Sequence, residues 1–227
     1  MYPLYEDNHI IIVSKAAGEI VQGDKTGDEP LSETIKRYLK EKYQKPGNVF
    51  LGIVHRLDRP VSGVVLFART SKALPRLNKL FAHHEAVSKT YWAIVGNEPP
   101  AMEGRLEHWL TRDERTNKAR AYDREVPRSK HAVLDYRVIG HSERYWLLEV
   151  QLHTGRHHQI RCQLARMGCP IKGDLKYGAP RSNPDGSISL HARRLTLEHP
   201  VSHQTIDVTA PVPNDRLWRT FEEAQRG

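Results

Sequence analysis

Cysteine is nearly absent from this chain of 227 residues, which has only Cys162 and Cys169. Two thiols in one short basic segment cannot form a disulfide framework, and they read as free thiols of a reducing compartment. His153, His157 and His158 lie nearby, yet no pair-and-pair ligand spacing forms, so no metal site is expected. No run of eighteen apolar residues occurs, and Met1 to Asp7 has no basic lead before an apolar stretch. Neither a membrane span nor a signal peptide is therefore expected, and the expected location is cytoplasmic. A P-loop and a dinucleotide fingerprint are also missing, which argues against a nucleotide cofactor. Acids are in the minority, 27 against 35 Lys and Arg, for a net charge of +8. Such a surface suits a polyanion, but charge alone does not separate nucleic-acid binding from solubility.

What is present is a foldable chain, 38% hydrophobic, enough for a real core. Ile10 to Val13 reads as a strand, broken by Lys15-Ala16-Ala17-Gly18. Leu31, Ile35, Tyr38 and Leu39 recur at helical spacing and predict an amphipathic helix to Tyr43. Val64 to Phe67 is a buried strand, followed by a helix that Ser71 would cap and that Leu74, Leu77, Leu80 and Phe81 would bury. Thr90 to Val95 and Tyr145 to Leu152 read as strands. Arg105 to Arg137, with nine basic and six acidic residues, reads as loops and edge strands. His158 to Met167 predicts a helix, with Gly168 at its C-terminal cap position. Leu190 to Thr209 returns to strand, broken at His199-Pro200. With no repeat, no linker and no regular alternation of strand and helix, a single α+β domain over residues 1–227 is expected.

The most informative segment is His55-Arg56-Leu57-Asp58-Arg59-Pro60-Val61-Ser62-Gly63. Pro60 and Gly63 put it on a loop. A carboxylate between two arginines is expected to be held ionised, ready to act as nucleophile or base. Taken alone, the same pattern also describes a surface ion-pair cluster.

The wider context resembles the RluA-type pseudouridine synthases, whose signature is His-Arg-Leu-Asp, two variable residues, then Thr-Ser-Gly. Val61 stands where threonine is usual, which removes a hydroxyl. Tyr5 through Gly18 is similar to the family's opening strand and Lys-Pro-x-Gly turn, with Ala16 in place of proline. Lys89-Thr90-Tyr91-Trp92-Ala93, Thr154 through Arg161, Gly168 through Asp174, Tyr177-Gly178, Leu190-His191-Ala192 and His199-Pro200 follow in the family's order.

The resemblance implies a pseudouridine synthase fold and an RNA-modifying isomerase acting on uridine in ribosomal or transfer RNA. It makes Asp58 the catalytic carboxylate and Tyr91 the active-site tyrosine, and it pairs Arg161 with Asp58. His55, Arg56, Arg59, Arg156 and His158 are the expected RNA contacts. Because the likeness begins at Tyr5, an N-terminal S4-type RNA-binding domain is not expected. The reaction consumes nothing and implies no cofactor, and a monomer is expected. The alternatives are an inactive RNA-binding protein of the same fold, or a ribonuclease using His55 and His157 as acid and base.

Overall fold

The computed structural model describes residues 2–226, the His84 side chain apart. The chain falls into two compact units, one built from residues up to Val87 with Arg193–Pro211, the other from Ser88–Ala192 with the segment from Val212 onward. The architecture is α+β, with the helices interspersed among antiparallel strands.

The first unit begins with β1 (Tyr5–Glu6) and β2 (Ile10–Lys15), followed by α1 (Leu31–Lys42), β3 (Gly52–Ile53), β4 (Ser62–Ala68) and α2 (Ala73–Ala82). Strand β2 runs antiparallel to β4, from Ile10 opposite Ala68 to Lys15 opposite Gly63. Every residue of β4 is buried, which is why its sequence is a continuous apolar run instead of an alternating one. Helix α1 buries Leu31, Ile35 and Leu39, one row of side chains four residues apart. At the start of α2 the structure corrects the expected cap, since the Ala73 N–H donates to Thr70 Oγ1 at 3.1 Å while Ser71 is exposed. Thr70 sits three residues before the amide it satisfies, the reach that a capping hydroxyl needs.

In the second unit β5 (Val87–Val95), β6 (Glu103–Asp113), β7 (Lys118–Tyr122), β8 (Lys130–His141) and β9 (Trp146–Leu152) pair in the order β5-β9-β8-β6-β7, all antiparallel. The stretch read as loops and edge strands holds two long strands, β6 and β8, beside the short edge strand β7. Its strand β8 is interior, with β6 on one side and β9 on the other. Ala132, Leu134, Tyr136 and Val138 alternate inward while polar neighbours face out, so the charge count masked a period of two.

Helix α3 (Gln159–Arg166) ends at Gly168, whose φ of +88° lets its N–H and that of Cys169 return to Ala165 and Leu164. Strand β10 (Leu190–Glu198) carries the chain back to the first unit, where Arg194 to Glu198 pair with β11 (Thr205–Thr209). Leu195, Leu197 and Ile206 join Ile10, Ile12, Leu66 and Leu77 in that unit's core. A last helix, α4 (Arg216–Ala224), was not anticipated. Asp215 caps it by accepting from the N–H groups of Leu217 and Trp218. Trp218 and Phe221 then pack with Trp92, Ile94 and Leu147.

Both cysteines are unlinked and buried, and burial pushes the Cys162 thiol up to about 11. Among the described residues no helix is long and apolar enough to cross a membrane.

Candidate active site

Asp58 opens a tight turn in which the Val61 N–H donates to the Asp58 carbonyl at 3.0 Å. Gly63, which ends the motif, has a φ of +119°, a conformation that side-chain-bearing residues rarely adopt. Under the turn lies Lys15, the last residue of β2 and only 1% exposed. Its ammonium donates to the carbonyls of Ala16 (3.0 Å), Asp58 (3.3 Å), Arg59 (3.1 Å) and Val61 (2.6 Å). The Gly18 N–H also donates to the Arg59 carbonyl at 2.7 Å. Burial pulls the Lys15 pKa down to about 8, against the opposing pull of Glu19 and Asp58. Val61 is buried, and the main-chain bonds of residue 61 hold the turn without the hydroxyl that valine lacks.

The arginines that flank Asp58 in sequence do not pair with it among the described residues. Arg59 bonds Asp28 Oδ2 at 2.6 Å and Thr26 Oγ1 at 2.8 Å, and it lies 3.5 Å from Asp24. Its charge is spent on the loop at residues 24–28. Arg56 is exposed. Lys15 feels the Asp58 charge in this unit, a proximity that the sequence did not reveal. His55 accepts from the Leu66 N–H through Nε2 at 2.9 Å and stacks on Phe81, bracing the loop on β4.

In the second unit Arg161 is 5% exposed, so it is no solvated helix residue. Its Nε and Nη2 donate to the two carboxylate oxygens of Asp174, at 2.7 and 2.9 Å, a planar fork matched to a carboxylate. Its guanidinium carbon lies 5.1 Å from the centre of the Tyr177 ring. Tyr177 Oη accepts from the Ala119 N–H at 2.8 Å and lies 2.7 Å from His158 Nδ1. The Tyr177 hydroxyl thus ties the Ala119 main chain to the His158 ring.

His158 is buried, stacks on His157 and precedes α3 with a φ of +51°. Asp174 follows Gly173, where a side chain would meet Asn183 at 2.7 Å and the Ser187 carbonyl at 2.8 Å with φ at +88°. Only glycine fits there. Asp174 and Tyr177 belong to quoted motif segments but carried no assigned role, because spacing does not reveal which side chains turn inward after a helix cap.

Tyr91 is half-buried on β5, opposite Val150 of β9. Lys89, two residues earlier and so on the same face, has its pKa lowered by burial. Arg156 is half-buried and donates through Nε to the His131 carbonyl at 2.8 Å. Further along the second unit, a cavity of about 920 Å³ is lined by Arg112, Arg115, Arg120, Arg128 and Tyr122 together with the acids Asp113 and Glu114.

The RNA pseudouridylate synthase family model matches residues 9–166. An uncharacterized RNA pseudouridine synthase of Chlorobaculum parvum is 33% identical, over 93% of this chain and 71% of that protein. The ribosomal large subunit pseudouridine synthase D of Vibrio cholerae is 32% identical, over 96% of this chain and 69% of that one. Human RNA pseudouridylate synthase domain containing 4 shares the fold, with a TM-score of 0.78 at 24% identity over 99% of this chain and 92% of that chain. With its Asp58 turn and its buried Arg161 fork, this chain belongs to the RluA-type RNA pseudouridine synthases, isomerases that convert uridine in RNA to pseudouridine.

Proposed function

We propose that Asp58 is the carboxylate that acts on the uridine, with Tyr91 and Arg161 completing the catalytic set and Arg161 serving as the ionic partner of Asp58. The observation that carries this reading is the Asp58 turn, a reactive side chain on a backbone braced by buried hydrogen bonds. The reaction breaks the bond between the ribose C1′ and N1 of uracil, turns the base, joins C1′ to C5, releases the C5 proton to water and takes up one proton from water at N1. Atoms balance with no oxidant or co-substrate. The base must leave its stack first, at a cost of a few kcal/mol, recovered from contacts to base and phosphates.

Arg56, exposed beside the motif, and Arg156 are the proposed phosphate contacts. His55 and His158, already bonded within the fold, act by holding the loop and the helix start, and Arg59 by holding the loop at residues 24–28. The arginine-lined cavity is a further proposed contact to RNA phosphates. A structured RNA, ribosomal or transfer, is the proposed substrate, and the Vibrio relative's name favours ribosomal RNA. The enzyme is proposed to act as a monomer in the cytoplasm.

Incubation with RNA tritiated at uridine C5 tests the reading. Tritium release with RNA length unchanged supports it, since a mere binder releases nothing and a nuclease shortens the chain. Mapping the pseudouridines lost from ribosomal and transfer RNA on gene deletion identifies the target.

A further inference from the structure

The outer face of the second unit's sheet carries three aromatic rings that the chemistry proposed above does not use. Trp109 of β6 stands directly opposite Tyr122 of β7 on one side and His131 of β8 on the other. Residues directly opposite one another in a sheet share a face, so the rings form a row across three strands spaced about 4.8 Å apart. The Trp109 and His131 ring centres are 5.1 Å apart. Their chain neighbours Leu110 and Ala132 turn to the opposite face and pack with Cys162 of α3. The row therefore points away from that core, with Trp109 and Tyr122 half-buried and His131 exposed.

Charge is spread unevenly around the row. At the Tyr122 end lies the cavity of about 920 Å³, which Tyr122 helps to line and in which four arginines outnumber Asp113 and Glu114. The Arg120 guanidinium carbon lies 5.2 Å from the centre of the Tyr122 ring. Asp113 is occupied in part by its own turn, accepting from the N–H groups of Arg115 and Thr116. At the other end His131 meets Glu107 at 2.7 Å, and Arg105 and Asp135 offset each other as a bidentate pair. Flat rings beside a cationic hollow suit bases stacked on the rings, with the phosphates that join them held at the arginine end. An unpaired stretch of RNA supplies both groups in one strand.

We propose that Trp109, Tyr122 and His131 are a stacking surface for unpaired bases of the substrate RNA other than the reacting uridine, with Arg120 and Arg128 taking the adjoining phosphates. This deepens the phosphate contact proposed for the cavity and rests on it. Stacking holds any base by its flat face, so the surface selects RNA that presents a single-stranded segment, without reading its sequence.

The test measures binding of the whole chain to labelled oligoadenylate, which has no uridine to isomerise, and to an abasic strand of the same length, across a range of salt. The wild type is expected to prefer oligoadenylate, with quenching of its tryptophan emission. Trp109→Leu and Tyr122→Leu are each expected to weaken oligoadenylate about fivefold or more, with abasic binding and the salt dependence unchanged. Trp109→Phe, which keeps a ring, is expected to bind more tightly than Trp109→Leu and to lose the quenching. Arg120→Gln combined with Arg128→Gln is expected to weaken both strands and flatten the salt dependence. Wild-type affinity for oligoadenylate in both leucine variants would overturn the stacking surface, including the case of a face that serves a protein partner, while a weakened arginine variant would leave the phosphate contact standing. Wild-type affinity and salt dependence in the arginine variant would overturn the phosphate contact and take this proposal with it. If neither leucine variant folds, Trp109→Phe decides, since quenching by oligoadenylate that persists there overturns the proposal.

Discussion

The Asp58 turn and the Arg161 helix start hold a charged group in two different ways. In the first unit a buried cation grips carbonyls, and the Asp58 carboxylate rides on the backbone so fixed. In the second, Arg161 is itself gripped, side chain to side chain, by Asp174 and the face of Tyr177. A tether to main chain tolerates change in the side chains of the loop, which is how Val61 can replace threonine there. A side-chain fork tolerates less, because both partners are buried and either one loses a paired set of charged hydrogen bonds when the other is changed.

The largest expected effect is therefore on the fork. Asp174→Ala removes two charged acceptors from a buried guanidinium and is expected to cost about 3–5 kcal/mol, a fall in melting temperature of about 6–20 °C by thermal melt. Turnover should fall with it, and an unchanged melt would break the contrast. Gly173→Ala tests the same support one residue earlier. The strained φ and the close approach of Asn183 and Ser187 should cost about 1–3 kcal/mol in denaturant titration. Removing the Asp215 cap by Asp215→Ala, remote from either charged group in sequence, should cost about 1 kcal/mol and leave kcat unaltered. Smallest of all, Arg59→Ala breaks only exposed pairs to Asp24 and Asp28. The melt should not move, while limited proteolysis of residues 24–28 should quicken, because surface ion pairs add little to global stability.

The same contrast explains how much was legible in the sequence. Strand β2, helix α1, strand β4, helix α3 and its Gly168 cap follow from hydrophobic spacing and one left-handed glycine, all local signals. The long strands β6 and β8 did not show, because their inward residues alternate with charged ones that a window average reads as loop. Helix α4 is a short segment whose two anchors, Trp218 and Phe221, gain meaning only against Trp92 and Leu147. At the candidate site, Asp58, Tyr91 and Arg161 came from resemblance. The brace beneath Asp58 and the fork at Asp174 are long-range pairings, 43 and 13 residues apart in sequence, and no local pattern encodes them.

The most direct test of the account replaces the Asp58 carboxylate by its amide, Asp58→Asn, and compares tritium release from uridine-C5-labelled RNA with that of the wild type under single-turnover conditions. The account predicts release at background, with the melt and RNA affinity of the wild type, because the braced turn remains while its charge is gone. Appreciable release by the folded Asn variant would contradict it.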